Sequence, residues 1–233
     1  METSRLELFS DAVFAIAATL LIIDVKVAAP GSQLGAALEH SWPQYAAYAV
    51  SFVVIGVWWV NHHAFLKLVG HADRAFLFAN VALLACIAFL PFPTGLVAEH
   101  FRDDGVRAAA ITYGLTMISA AIAFASCWCY AARRRRLIAE EVDQALVRGM
   151  THSVIPGVPI NAAATLVALW SPYTALALFA AMALFYVVGS SVFSREPSPS
   201  PEGSPPHGGP ALPHGPTPLP EGERPRSPGT STT

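Results

Sequence analysis

The sequence predicts an all-α membrane protein with six transmembrane helices. Hydrophobic residues make up 54% of the 233 residues, only 13% are charged, and the mean hydropathy is +0.47. This composition is too apolar for a soluble domain of such length. The apolar residues form six runs of about 20 residues, which is the length of a helix that crosses a hydrocarbon core. The predicted spans are residues 5–27, 42–67, 74–98, 106–132, 150–170 and 172–193.

The first span is unusual because its uncharged stretch is short. Asp11 and Asp24 lie about 20 Å apart along a helix, which is less than the thickness of the hydrocarbon core. At least one carboxylate must therefore lie near or within the apolar layer, where a charge needs protein or water around it. We expect this helix to be interior to the bundle or to a larger assembly.

The second, third and fourth spans are long apolar runs, whereas the fifth is interrupted. Pro156, Gly157 and Pro159 lie within the fifth span, and proline both lacks a backbone N–H and disrupts the preceding helical turn. The sequence predicts a kinked helix there, facing protein. Between the fifth and sixth spans, the segment Trp170-Ser-Pro-Tyr173 combines a breaker with interfacial aromatic residues and predicts a tight turn.

The distribution of Lys and Arg predicts that both termini are cytoplasmic in a cell membrane. Basic residues mark the second and fourth connections, whereas the third mixes both signs of charge. The basic residues of the second and fourth connections are Lys67, Arg74, Arg133, Arg134, Arg135, Arg136 and Arg148. The four-arginine run could also bind anionic lipid headgroups, although a topology signal is the simpler interpretation.

The chain divides into a membrane domain, residues 1–195, and a cytoplasmic tail, residues 196–233. The tail is rich in Pro, Gly and Ser, which predicts disorder, with a polyproline ligand as the alternative. We find no phosphate-binding loop, nucleophile elbow or zinc-binding motif, and a net charge of -2 gives no basic face for nucleic acid. We therefore expect no enzyme activity, no cofactor, no metal and no nucleic-acid partner.

Several polar residues lie at a similar predicted depth. Ser10 and Asp11 fall in the first turns of the first span, together with Arg5, while His62 and His63 fall near the end of the second. Asn80 is less than two turns into the third span. These residues predict a polar network near the cytoplasmic side, with Arg5 and Asp11 as its charged members. Adjacent helical residues differ by about 100° in direction, so only one of the two histidines can face this network.

Three interpretations of this cluster remain open. A network that holds the helices together is favoured, and a proton or ion pathway is the main alternative. A metal site is disfavoured because adjacent histidines lack the i, i+4 spacing of helix-borne ligands. On the same first helix, Ile16, Thr19, Leu20 and Ile23 share one face, and the spacing alone indicates ordinary packing.

Three segments carry a family resemblance. Arg5-Leu-Glu-Leu-Phe9-Ser10-Asp11 matches the RxxxFSD signature of the transmembrane protein 175 family of potassium channels, and the next residues resemble its pore helix. The segments Trp59-Val-Asn-His62-His63 and Phe89-Leu-Pro-Phe-Pro-Thr94 are similar to the same family. The last three spans resemble it in number and length. Ala12 differs from the Gly that many relatives have.

The resemblance implies a homotetramer in a lipid bilayer that conducts K⁺ through a pore lined by four copies of the first helix. It assigns the hydrophobic constriction to Ile16, a polar layer to Thr19, and further pore-facing positions to Leu20 and Ile23. It implies that Arg5, Phe9, Ser10 and Asp11 fix this helix against its neighbours, together with His63 and Asn80.

Two other functions remain as alternatives. A proton- or ion-coupled secondary transporter would use Asp11 and His63, although such carriers usually show internal repeats or paired broken helices. A noncatalytic membrane scaffold is the third possibility. The gating stimulus and the preference for K⁺ over Na⁺ do not follow from the sequence.

Overall fold

The computed structural model describes residues 3–26, 31–133 and 137–193, which form helices joined by short connections. The α-helices are α1 (Thr3–Leu20), α2 (Leu34–His40), α3 (Trp42–Leu66), α4 (Arg74–Phe89), α5 (Pro91–His100), α6 (Val106–Arg133), α7 (Gln144–Val154), α8 (Gly157–Val167) and α9 (Pro172–Phe193). Short 3-10 helices occupy Leu21–Asp24 and Gly31–Gln33. The all-α prediction is confirmed. The arginines at 134–136 and the tail at 196–233 lie outside the described residues.

The helix boundaries follow from local chemistry. The Asp73 side chain caps α4 by accepting a hydrogen bond of 2.9 Å from the backbone N–H of Phe76, and Asp143 caps α7 in the same way through Ala145. These carboxylates satisfy backbone donors that have no partner within the helix. Pro43 lies in the first turn of α3, where its missing N–H removes no helical hydrogen bond.

Two predicted spans are broken in the structure, and only one of the breaks was predicted. The expected interruption of the fifth span lies at Ile155 and Pro156, between α7 and α8. The third span was predicted as one helix, but it divides at Leu90, between α4 and α5. Pro91 cannot bond the carbonyl of Ile87, and the N–H of Leu90 bonds this carbonyl instead, at 3.1 Å.

Length and composition identify four spans among the described residues, two fewer than predicted. They are 3–24, 42–66, 74–100 and 106–133. A shorter apolar stretch, Pro172–Val188, lies in α9. α7 and α8 have 11 residues each, about 16 Å of helix, so neither crosses a hydrocarbon core alone.

The core of the bundle lies where α3, α4 and α6 meet. Phe65 of α3 is fully buried, and its ring makes edge-on contacts with Phe76, Phe124 and Trp128 at centroid distances of 5.7, 5.6 and 5.9 Å. Such arrangements add to the free energy gained from burial of the rings. α1 packs against α3 and α4, so the aromatic cluster supports the elements that position α1.

α6 and α8 approach closely at Gly114. A Cβ at this position would lie 2.6 Å from Cγ2 and 2.8 Å from Cβ of Thr165, so a larger residue would clash. Small residues commonly permit this close helix packing in membrane proteins. Gly114 therefore sets the distance between the central helix and α8.

Candidate ion pathway and its polar support

α1 has one buried face and one bare face. The buried residues are Leu6, Ser10, Phe14 and Ala17, continued by Leu21 of the following 3-10 helix, and α1 packs against α3 and α4. The predicted pore residues lie on the other side of the helix. Ile16, Leu20 and Ile23 are 57%, 40% and 61% exposed in the subunit, and Thr19 is exposed between them. The structure thus brings all four residues onto one bare face.

Thr19 binds to its own helix. Its Oγ1 donates a hydrogen bond of 2.9 Å to the carbonyl oxygen of Ile16, a common arrangement for a helical threonine. This bond uses the only hydroxyl hydrogen and leaves the lone pairs of Oγ1 available. The exposed oxygen is therefore an acceptor.

A buried polar network joins α1, α3 and α4. The Nε2–H of His62 donates to Oδ1 of Asn80 at 2.8 Å, and Nδ2 of Asn80 donates to Oγ of Ser10 at 3.1 Å. These three residues are almost completely buried. Since a buried polar group without a partner is costly, this chain of hydrogen bonds fixes the three helices in one register.

The histidine in this network is His62, which the sequence analysis did not select. His63 lies on the adjacent side of α3, with Nδ1 at 2.9 Å from Oε1 of Glu7. The two side chains are each about one-third exposed. Ile55 and His62 are both buried and lie seven positions apart on α3, so they share one face of the helix, but the sequence carried no signal for which face that is.

Asp11 forms a second polar contact between α1 and α3, beside the buried network. Its Oδ1 accepts a hydrogen bond of 2.8 Å from the indole Nε1–H of Trp59, and the Trp59 ring stacks on that of His63 at 5.9 Å. The sequence assigned no separate role to Trp59, so its contact with Asp11 was not predicted. The bond attaches the middle of α1 to α3.

The other predicted network residues lie at the surface of the subunit. Arg5 and Phe9 are both exposed. Among the described residues, no ion pair joins Arg5 to Asp11. The positions of Arg5 and Phe9 therefore make them available to neighbouring molecules.

The 3-10 helix Leu21–Asp24, which directly follows α1, contacts α5. A Cβ on Gly95 would lie 2.9 Å from Oδ2 of Asp24, so the carboxylate is positioned against the backbone of α5. At the preceding residue of α5, Oγ1 of Thr94 lies 2.8 Å from Oγ of Ser51, which in turn lies 3.4 Å from the hydroxyl of Tyr113. These hydroxyl contacts connect α5 to α3 and α6.

Comparison with known proteins identifies the family. Residues 5–91 match the family described as endosomal/lysosomal potassium channel TMEM175. A potassium channel of Streptomyces collinus is 46% identical over 151 residues, which cover 63% of this chain and 73% of the relative. A potassium channel of Chamaesiphon minutus is 36% identical over 196 residues, which cover 82% of this chain and 96% of the relative.

A solved structure agrees with the sequence matches. The crystal structure of a lysosomal potassium-selective channel TMEM175 homologue from Chamaesiphon minutus superposes with a TM-score of 0.73 and 34% identity, covering 81% of this chain and 97% of that one. The family resemblance inferred from the RxxxFSD signature is thereby confirmed. The chain belongs to the TMEM175 family.

Proposed function

We propose that this protein is a subunit of a potassium channel in a cell membrane, and that four copies surround a pore lined by α1. The observation that carries the proposal is the bare face of α1, which presents Ile16, Thr19, Leu20 and Ile23 away from the rest of the subunit. The similar bacterial proteins named as potassium channels support K⁺ as the conducted ion.

The charges of α1 argue against contact of its bare face with lipid. Asp11 and Asp24 flank an uncharged stretch that is shorter than a hydrocarbon core. A lipid-facing helix with these ends would place a carboxylate in contact with acyl chains, which is energetically costly. A position around a water-filled axis avoids this cost, because water and neighbouring subunits surround the charged ends.

The exposed side chains suggest how the pore would select ions. A ring of Ile16 side chains forms an apolar constriction, which resists water and requires an ion to lose part of its hydration shell. The next ring presents the Thr19 oxygens, whose lone pairs remain available because the hydroxyl hydrogen bonds the Ile16 carbonyl. K⁺ holds its water less tightly than Na⁺ does, so we expect a modest preference for K⁺.

The polar contacts of α1 suggest a supporting role for the other predicted site residues. The network of Ser10, His62 and Asn80 fixes the rotation of α1, and the bond between Trp59 and Asp11 holds the next residue of α1 against α3. Arg5 and Phe9 are exposed in the subunit, so their proposed role is at contacts between neighbouring subunits. His63 reaches α1 through Glu7.

The topology proposed for the subunit has six crossings. Four come from the long apolar helices, the fifth from α7 and α8 together, and the sixth from α9. An even number places both termini on one side, and the basic residues of the second and fourth connections assign that side to the cytoplasm.

A proton- or ion-coupled carrier remains the alternative. It is favoured by the half-exposed contact of His63 with Glu7, close to Asp11 on α1. In this alternative, Asp11 and His63 are the residues that couple transport to the second ion.

Flux through the purified full-length protein in liposomes separates these functions. Under the channel proposal, K⁺ current rises in proportion to the driving force and needs no proton gradient. Saturating K⁺ uptake that moves protons in fixed ratio would favour the carrier. No flux above that of empty liposomes would favour a scaffold.

A further inference from the structure

A cavity of about 90 Å³ lies among α3, α6, α7, α8 and α9, and no residue of α1 lines it. Its wall is mainly apolar, with Val54 and Trp58 on α3, Phe124 on α6 and Ala183 on α9. The break between α7 and α8 is at one side of this cavity. A Cβ on Gly157, the first residue of α8, would meet nothing within 4 Å, so there is free space at the break.

One polar side chain of the wall has an acceptor without a partner. Asn161 is only 4% exposed, and its Nδ2 donates to the carbonyl oxygen of Gly157 at 2.7 Å. This bond sets the orientation of the amide, because a flipped Asn161 would place two oxygens in contact. Oδ1 then has no hydrogen-bond partner among the described residues, which is uncommon for a buried carbonyl.

The geometry points to a binding site for a small alcohol, whose hydroxyl donates to Oδ1 of Asn161 and whose short carbon chain lies against the apolar wall. Oδ1 of Asn161 needs a hydrogen-bond donor, and the apolar wall favours a hydrocarbon chain. A volume of 90 Å³ is smaller than the engineered cavity of about 150 Å³ that holds benzene. The site therefore fits a molecule with only a few non-hydrogen atoms.

Entry is available from one side of the cavity. Ser153 and Tyr186 line the cavity and are exposed, so they mark its mouth. A small amphiphile dissolved in the membrane or at its surface reaches the site without passing through α1. Binding there is separate from the proposed ion pathway.

Tryptophan fluorescence provides the test, because Trp58 lines the cavity. The full-length protein in liposomes is titrated with 2-bromoethanol, whose bromine atom quenches a nearby indole. 1-Bromopropane is the matched probe, since a methyl group replaces the hydroxyl group and the molecule keeps the same size. The expected result is saturable quenching by 2-bromoethanol that Trp58→Phe removes, with 1-bromopropane binding about tenfold more weakly.

Two variants test the assignment within the site. Asn161→Leu keeps a side chain of similar size without the acceptor, and it should bring the two affinities together. Ala183→Leu fills the cavity from α9, and it should abolish saturable quenching by both probes.

Three results would overturn the proposal. They are quenching that rises linearly without saturation, equal affinities of the two probes for the unmodified protein, and saturable quenching that survives in Ala183→Leu. If Asn161→Leu does not fold, the comparison of probes on the unmodified protein decides the question.

Discussion

Nε2 of His62 lies 2.8 Å from Oδ1 of Asn80, and this contact joins α3 to α4 at the point where Asn80 also holds Ser10 of α1. The amide of Asn80 thus binds two helices at once. Removing either end of this chain of hydrogen bonds leaves a buried polar group without a partner. The contact therefore has consequences for both the stability of the subunit and the position of α1.

His62→Leu should destabilise the folded protein by about 1–3 kcal/mol, because Asn80 loses its buried donor. Thermal unfolding in detergent, followed by size-exclusion chromatography, measures the effect. His63→Leu is the matched control: it removes the neighbouring imidazole, which is partly exposed. Equal losses in the two variants would contradict the assignment of His62 to the network.

Trp59→Phe should weaken the attachment of α1 and lower the fraction of assembled oligomer, because Asp11 loses the indole donor. Asp11→Ala should have the same direction of effect, with a cost of about 0.5–1.5 kcal/mol for the lost hydrogen bond, which is exposed in the subunit. Crosslinking of membranes reports the oligomer size. Normal assembly of Asp11→Ala, together with loss of proton-coupled uptake, would favour the carrier.

Ile16→Asn should increase ion flux and weaken the preference for K⁺, because a polar side chain lowers the barrier to wetting of an apolar ring. Liposome flux and reversal potentials under K⁺/Na⁺ gradients measure both quantities. Leu115→Asn on α6 is the control, since Leu115 is 55% exposed, close to the 57% of Ile16, but does not belong to α1. If Ile16 only packs against other helices, the variant will reduce the amount of folded protein and flux will fall with it.

Thr19→Val should alter the preference for K⁺ over Na⁺ while assembly is preserved. The change keeps the shape of the side chain and removes the hydroxyl oxygen, which is the proposed ligand. The hydrogen bond to Ile16 is lost as well, so thermal unfolding is measured beside the reversal potential. An unchanged reversal potential would argue against a filter role for Thr19.

Gly114→Ala should destabilise the protein by about 1–3 kcal/mol, because the added methyl group overlaps Thr165 and forces α6 and α8 apart. Gly56→Ala is the control in α3, where the added methyl group meets nothing within 4 Å. That control should be neutral or slightly stabilising, since alanine favours helix over glycine. The two melting temperatures would be compared, and a normal value for Gly114→Ala would show that the interface adapts.

The features predicted most accurately were those determined by local patterns. The lengths of the apolar runs predicted the positions of the first four spans, and Pro156 predicted the break between α7 and α8. The break at Leu90 was missed although Pro91 and Pro93 are visible in the sequence, because hydropathy and length do not depend on backbone hydrogen bonding. The family signature identified α1 as the helix of interest.

The predicted depth of the two residues in the membrane did not show whether His62 or His63 faces the polar network. The two residues are adjacent, and their surroundings depend on how α3 is rotated against α4. Only the packed structure supplies that rotation, through contacts such as Phe65 with Phe76. Likewise, no sequence pattern joined Trp59 to Asp11, which are 48 positions apart.

The close contact between Asp24 and Gly95 has a consequence for motion. Because the carboxylate occupies the space that a side chain at position 95 would fill, α5 cannot move towards α1 without displacing the end of α1. The middle of α1 is held separately by Ser10 and Asp11. A displacement of α5 would therefore bend the second half of α1 relative to this fixed middle, and the short 3-10 segment Leu21–Asp24 would transmit the movement.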